Sequence, residues 1–298
     1  MSSRLRIGAR ASAMSLVQTS HILAELTAPS VLVPFDSRGD HEGAARAALE
    51  ADGAFTAEIE KALLSGEIDM AVHCLKDAPT HDTPGLTLAA YRPREDIRDA
   101  LVHPDPSMTL ETLPPGSTVG TASVRRRAHL SRLRPDVRAV TLRGPADTRL
   151  AALDGGEVDA LILASSGLDR LGEAHRISER ISPERLCPPL GAAIIALQCR
   201  VDDEETKKVA ARLHHPATAV EAIAERTVLQ EMGGFCNAPL AGYCTTDKSG
   251  LLAVRGMVFT LDGATVIDVR HSGNDPVDTA KELCRRLDQH HVRDVFVA

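Results

Sequence analysis

The feature that most restricts the fold is a repeated alternation. Short aliphatic runs, each ended by a turn, are followed by segments with helical spacing. Residues 5–9 (Leu-Arg-Ile-Gly-Ala) read as a strand. Ser12 reads as the cap of a helix with Met14, Leu16, Val17, Ile22 and Leu23 on its apolar side. Residues 31–35 are the next strand and 55–64 the next helix. Residues 70–72 (Met-Ala-Val) form a short buried strand, and Pro79 ends any regular element beyond it. After a strand at 87–91 the pattern restarts. Strands are expected at 100–102, 117–120, 139–142 and 160–164, with helices starting at Ser123 and Asp147. Strands alternating with helices predict βαβ units and mainly parallel sheets, an α/β protein.

Two punctuated stretches interrupt the series. Residues 92–99 are dense in charge and broken by Pro93, and 187–191 read Cys-Pro-Pro-Leu-Gly. The short apolar run at 194–197 is placed to rejoin the first sheet. The expected organisation is therefore a discontinuous first domain (residues 1–95 and 193–212) and a second at 98–190. A third, at 215–298, is α+β. It carries a helix at 219–232, a Gly-rich turn, strands at 251–254, 257–261 and 266–269, and a helix at 277–288.

Composition narrows the function. Aromatic residues make up 2% and there is no Trp, so stacking platforms are scarce, which argues against single-stranded nucleic-acid binding. The net charge is −7, yet residues 117–150 hold eight arginines against two aspartates. A cationic focus in an acidic chain points to a pocket for small anions rather than a nucleic-acid surface. The six cysteines include no CxxC pair, so no metal site is expected. No apolar run approaches the ~18 residues of a membrane span, and the N-terminus lacks the apolar stretch of a signal peptide. A cytoplasmic protein with reduced thiols is expected.

Five stretches can carry chemistry. Lys76-Asp77 places a cation beside an anion just past the carboxyl end of a strand, where open α/β sheets bind ligands. Alone, it reads sooner as a solvated turn with a weak surface ion pair, by about three to one. Gly120-Thr-Ala-Ser-Val-Arg-Arg-Arg127 leaves a strand and opens a helix, offering free N–H groups, hydroxyls and guanidiniums to an anion. Leu142-Arg-Gly-Pro-Ala-Asp-Thr-Arg149 repeats that layout, with Asp147 expected as its cap. Gly8-Ala-Arg-Ala-Ser12 is a third such turn, or a plain helix cap. The fifth is Cys236 in the Gly-rich stretch 233–243, either a small packed hydrophobe or a covalent anchor.

Together these stretches resemble the porphobilinogen deaminase (hydroxymethylbilane synthase) family nearly end to end. Ala71-Val-His-Cys-Leu-Lys-Asp-Ala-Pro79 is similar to the family's central motif. Ile7–Ser12, Ser37-Arg-Gly-Asp40, Gly120–Arg126, Leu142–Arg149, Asp159–Ala164 and Gly167–Gly172 also look like family stretches. The resemblance implies two periplasmic-binding-protein-like domains with a cleft between them and a smaller C-terminal α+β domain. It implies a transferase that condenses four porphobilinogen units, with ammonia release, on a dipyrromethane cofactor bound to Cys236 through a thioether. Asp77 would be the catalytic carboxylate, stabilising the cationic azafulvene left when ammonia departs. Arg10, Ser12, Lys76, Thr121, Ser123, Arg125, Arg126, Arg143 and Arg149 would hold substrate and cofactor carboxylates. A monomer acting on a small pyrrole is implied. The chain departs from the family pattern at Ala51-Asp52, Cys74, Ala122, Pro145, Ala192-Ala193 and Phe235. Two alternatives stay open: a paralogue condensing a related pyrrole, and a non-catalytic binder of small anions, which would need neither Asp77 nor Cys236.

Overall fold

The computed structural model describes residues 4–37, 53–234, 238–260, 262–290 and 292. The chain divides into two compact units, Met1–Glu95 with Gly191–Cys236, and Asp96–Leu190 with Asn237–Ala298. The segment expected to be weakly patterned (44–52), the Arg38-Gly39-Asp40 turn, Phe235 and Cys236 lie outside the described residues.

In the first unit, β1 (Leu5–Arg10), β2 (Ser30–Phe35), β3 (Met70–Cys74), β4 (Leu86–Tyr91) and β10 (Ile195–Arg200) form one sheet, in the order β2-β1-β3-β10-β4. β1 runs parallel to β2 and β3, and β10 is antiparallel to both its neighbours. β3 is a continuous apolar run rather than an alternating one because both its faces are covered. Ile7, Met70, Val72 and Leu197 pack on one face; Ala71 meets Ile59, Leu63 and Ile68 on the other. The helices are α1 (Ala13–Glu25), α2 (Ala57–Leu64), α6 (Glu204–Ala211) and α7 (Pro216–Glu231).

The second unit repeats the plan. Strands β5 (Asp99–Val102), β6 (Thr118–Gly120), β7 (Arg138–Val140), β8 (Ala160–Ala164) and β9 (Ile177–Ile181) take the order β7-β6-β8-β5-β9. β6 is parallel to β7 and β8, while β5 is antiparallel to β8 and β9. Each sheet thus has three parallel strands, one reversed strand and an outer strand. The reversed strands are the ones reached across the chain's two crossings. Helices α3 (Val124–Leu133), α4 (Ala146–Asp154) and α5 (Ser165–Arg170) belong to this unit. So does a C-terminal layer. There β11 (Leu240–Thr246), β12 (Leu252–Phe259) and β13 (Val266–Gly273) form an antiparallel sheet beside α8 (Pro276–Asp288). α8 is capped by Asp275, which accepts from Val277 N and Asp278 N at 2.9 Å each. It buries Thr279, Ala280, Leu283, Cys284 and Leu287, one stripe of the helix.

The elements differ from expectation in instructive places. The strands expected at 251–254 and 257–261 are one strand, β12, because Arg255 and Gly256 continue the pairing; Arg255 is buried against Asp268. β11 was expected as part of a Gly-rich turn. Gly242 sits in it because a side chain there would meet the Arg255 carbonyl at 2.4 Å. The helix expected from residue 55 begins at Ala57, which frees Phe55 for another contact. Asp147 does not cap α4. Pro145 holds that position, with no side-chain capping bond.

Candidate functional site

In the first unit, β3 ends in a single 3-10 turn, Leu75–Asp77, that carries Lys76 and Asp77, both half-buried. The turn is held from below. Leu75 N donates to the Ile194 carbonyl at 2.8 Å, and Leu75 packs with Ala78, Tyr91, Ile194 and Ala222. Gly191 has φ +75°, and a Cβ there would stand 2.9 Å from Lys76 N, so its lack of a side chain lets the returning chain pass under the turn. Ala193 also adopts a left-handed conformation, φ 59°, without the excuse of being glycine.

Arg10 leaves the end of β1 and donates through Nη1 to Asp77 Oδ2 at 3.3 Å. The ring of Phe55 lies under the Arg10 guanidinium, 4.4 Å from Cζ to the centroid. Ser12 caps α1 in an extended conformation, but its hydroxyl makes no capping hydrogen bond. Cys74 donates its thiol to Gln18 Oε1 at 3.4 Å.

The crossing segments of this unit are fastened by a buried ion pair. Arg94 Nη1 lies 2.6 Å from Glu225 Oε1 on α7, and Glu225 is fully buried. The other Glu225 oxygen accepts from Gly191 N at 2.6 Å, while Arg94 Nε donates to the Ala192 carbonyl at 3.2 Å.

In the second unit, Thr121, Ser123, Arg125, Arg126 and Arg149 come together. Thr121 is fully buried, and its hydroxyl accepts from Ser123 N at 3.2 Å. Ser123 caps α3 by accepting from Arg126 N at 3.4 Å. Arg125 is buried and engaged at both ends: Nη1 donates to the Cys187 carbonyl and Nη2 to Asp99 Oδ2, each at 2.6 Å. Arg126 Nη2 donates to Asp99 Oδ1, also at 2.6 Å. Its Nε is buried and, among the described residues, has no hydrogen-bond partner. Arg149, on α4, has its pKa pushed down to about 10, first by burial and then by the positive charge of Arg126. Two guanidiniums therefore share one firmly bound carboxylate, Asp99, a third lies within reach of their charge, and the excess positive charge lies at Arg126 and Arg149.

The eight arginines of residues 117–150 do not act as one set. Arg134 folds onto Asp136 and the carbonyls of Leu110 and Leu113, and Arg127 donates to Thr141. Arg143 is exposed on the turn after β7. Asp99 was not anticipated as a site residue. Its signal was an acid adjoining the apolar run Ala100-Leu-Val, a position where burial demands a partner. Buried His73, Glu60 and Gln198 were also missed.

Comparison with known proteins bears on this arrangement. Residues 5–208 match the family description "Porphobilinogen deaminase, dipyromethane cofactor binding domain", and residues 219–290 match that family's C-terminal domain. The chain is similar to a protein named porphobilinogen deaminase 2 from Streptomyces coelicolor, at 48% identity over 98% of this chain and 96% of that one. It is 41% identical to a porphobilinogen deaminase of Deinococcus radiodurans over 90% of this chain and 89% of the other. With that of Bacillus pumilus it shares 35% identity, over 98% and 96%.

Proposed function

The chain belongs to the porphobilinogen deaminase family, and from that premise we propose how its own residues perform the family's condensation of porphobilinogen with loss of ammonia. The observation that carries the proposal is the under-compensated pair Arg126 and Arg149. A buried Nε without a partner among the described residues and an arginine with a depressed pKa are unfavourable in an isolated protein and favourable beside a carboxylate. The residues present thus fit an acid-bearing dipyrromethane. When bound, that group supplies the primer pyrrole to which each unit is added.

Arg126, Arg149, Arg143 and the hydroxyls of Thr121 and Ser123 hold acetate and propionate arms. Arg125, with both ends engaged, anchors Asp99 and orients the start of α3. Lys76, Arg10 and the Ser12 hydroxyl serve the same purpose in the first unit. Asp77 faces the aminomethyl group of the substrate. The aminomethyl group reacts as its ammonium form: as the C–N bond breaks, ammonia leaves with the bonding pair and the positive charge passes to the pyrrole methylene. A fixed carboxylate stabilises that charge without reorganising, the larger part of its contribution. Arg10 keeps the carboxylate aimed, and Phe55 covers the guanidinium. Cys236 is the proposed attachment point.

Action as a monomer in the cytoplasm belongs to the same proposal. Among the described residues no helix is long and apolar enough to cross a membrane.

The test combines intact-protein mass spectrometry with ammonia release from porphobilinogen. The purified chain should carry a dipyrromethane mass adduct that Cys236→Ser removes. Asp77→Ala should keep the adduct and lose turnover by about 10²–10⁴-fold. An unmodified wild-type chain that releases no ammonia would refute the assignment.

A further inference from the structure

Beneath the Lys76-Asp77 turn, the first unit contains a buried polar chain that the proposed mechanism does not use. His73 on β3, Gln198 on β10 and Glu60 on α2 are 4%, 3% and 6% exposed. His73 Nε2 and Gln198 Oε1 are 2.9 Å apart, and Gln198 Nε2 donates to Glu60 Oε1 at 2.8 Å. Thr83 donates to the other Glu60 oxygen at 3.0 Å.

The chain has a direction. Gln198 turns its NH2 group toward Glu60, which accepts, and its carbonyl oxygen toward His73. A carbonyl oxygen only accepts. His73 must therefore carry its proton on Nε2, leaving the lone pair on Nδ1. Burial pushes the imidazolium pKa down to about 4; the Gln198 hydrogen bond and Asp77 oppose this, and Arg10 adds to it. The charged groups around the ring are Asp77 and Arg10 on the side of the turn and Glu60 beyond Gln198.

His73 stands four residues before Asp77, within its electrostatic reach. A protonated ring there would bring a second cation to the carboxylate and weaken its hold on the positive centre of the substrate. The segment that bears Glu60 also bears Phe55, which covers Arg10. Both contacts of that segment act on the surroundings of Asp77.

We propose that His73 is a positioning residue for the deamination step, fixed by Glu60 through Gln198 as the neutral, Nε2-protonated tautomer so that the negative charge of Asp77 stays directed at the substrate. The inference rests on the deaminase reading above and deepens it. Glu60 and Gln198 act through His73 and touch no reacting atom.

The experiment uses the full chain labelled with ¹⁵N-histidine, with His73→Gln assigning the signal. Long-range ¹H–¹⁵N spectra should show His73 as a single Nε2–H tautomer that does not titrate between pH 5.5 and about 8, well above its depressed range. Glu60→Gln should release the Gln198 amide and yield mixed tautomers. kcat should fall about 10–100-fold in Glu60→Gln and His73→Leu with KM little changed. His73→Gln, whose amide can still donate to Gln198, should recover most of that loss. An Nδ1–H tautomer, a titration near the ordinary histidine value, or an active wild type beside a His73→Leu variant with unchanged kcat would overturn this inference alone. A wild-type chain without ammonia release would instead remove the deaminase reading, and this role with it.

Discussion

Replacing Asp99 with asparagine keeps the side chain's shape and deletes the one carboxylate that Arg125 and Arg126 share. In the native protein each guanidinium donates to a separate oxygen at 2.6 Å, and both ion pairs are nearly inaccessible to water. Asparagine keeps one acceptor oxygen. Its NH2 group then opposes the second guanidinium, donor against donor, and two buried cations lose their counter-charge. Breaking a buried pair from one side costs roughly 3–5 kcal/mol. At about 2–4 °C per kcal/mol for a unit of this size, Tm should fall by about 10 °C. The pH dependence has a definite sign. Burial alone would raise the Asp99 pKa, but attraction to Arg125 and Arg126 and their hydrogen bonds outweigh it and hold the carboxyl well below the usual range. A depressed carboxyl contributes stability that is complete above its unfolded pKa, about 3.9, and is lost as pH falls toward the folded value. The gap between wild type and Asp99→Asn should thus be constant from pH 5.5 to about 8 and should narrow only below about pH 4. Scanning calorimetry across that range measures it. A gap of less than about 1 kcal/mol, or one that vanishes near pH 6, would refute the argument that this carboxylate holds the two arginines in place.

Three further substitutions probe the sites. Gly191→Ala puts a Cβ 2.9 Å from Lys76 N at a φ of +75°, so the catalytic turn must shift; kcat should drop by about tenfold or more while secondary structure by circular dichroism is unchanged. Ala193→Gly relieves a left-handed alanine, worth about 1–2 kcal/mol, against an unfolded-state cost of about 0.4–1 kcal/mol; a rise of roughly 1–3 °C in Tm is expected by thermal unfolding. Arg149→Gln removes a half-buried cation whose Nε, among the described residues, bonds only to the Pro145 carbonyl of its own turn. Steady-state kinetics should show KM for porphobilinogen raised about 10-fold or more, with Tm held or slightly raised because repulsion from Arg126 is gone.

Local chemistry made the strands and helices legible. Apolar runs at 5–9, 70–72 and 160–164, Ser12 and Ser123 as caps, and Pro79 as a stop each act within a few residues. For the same reason the sequence alone determined which turns carry Asp77, Arg126 and Arg149, and the order of those turns set the family resemblance. It did not determine where β10 enters. That strand arrives after a long excursion and inserts antiparallel between β3 and β4, bringing Gln198 to His73 across 125 residues.

The partners of buried charges were equally beyond local pattern. Arg125 and Arg126 read as two arms for a ligand, but Asp99, 26 and 27 residues away, occupies one end of each and leaves Arg126 Nε and Arg149 as the under-compensated cations. The reason is physical. Helix and strand propensities are set by neighbours along the chain. The counter-ion of a buried charge is set by what burial brings within about 3 Å, which exists only once the sheets have closed over it.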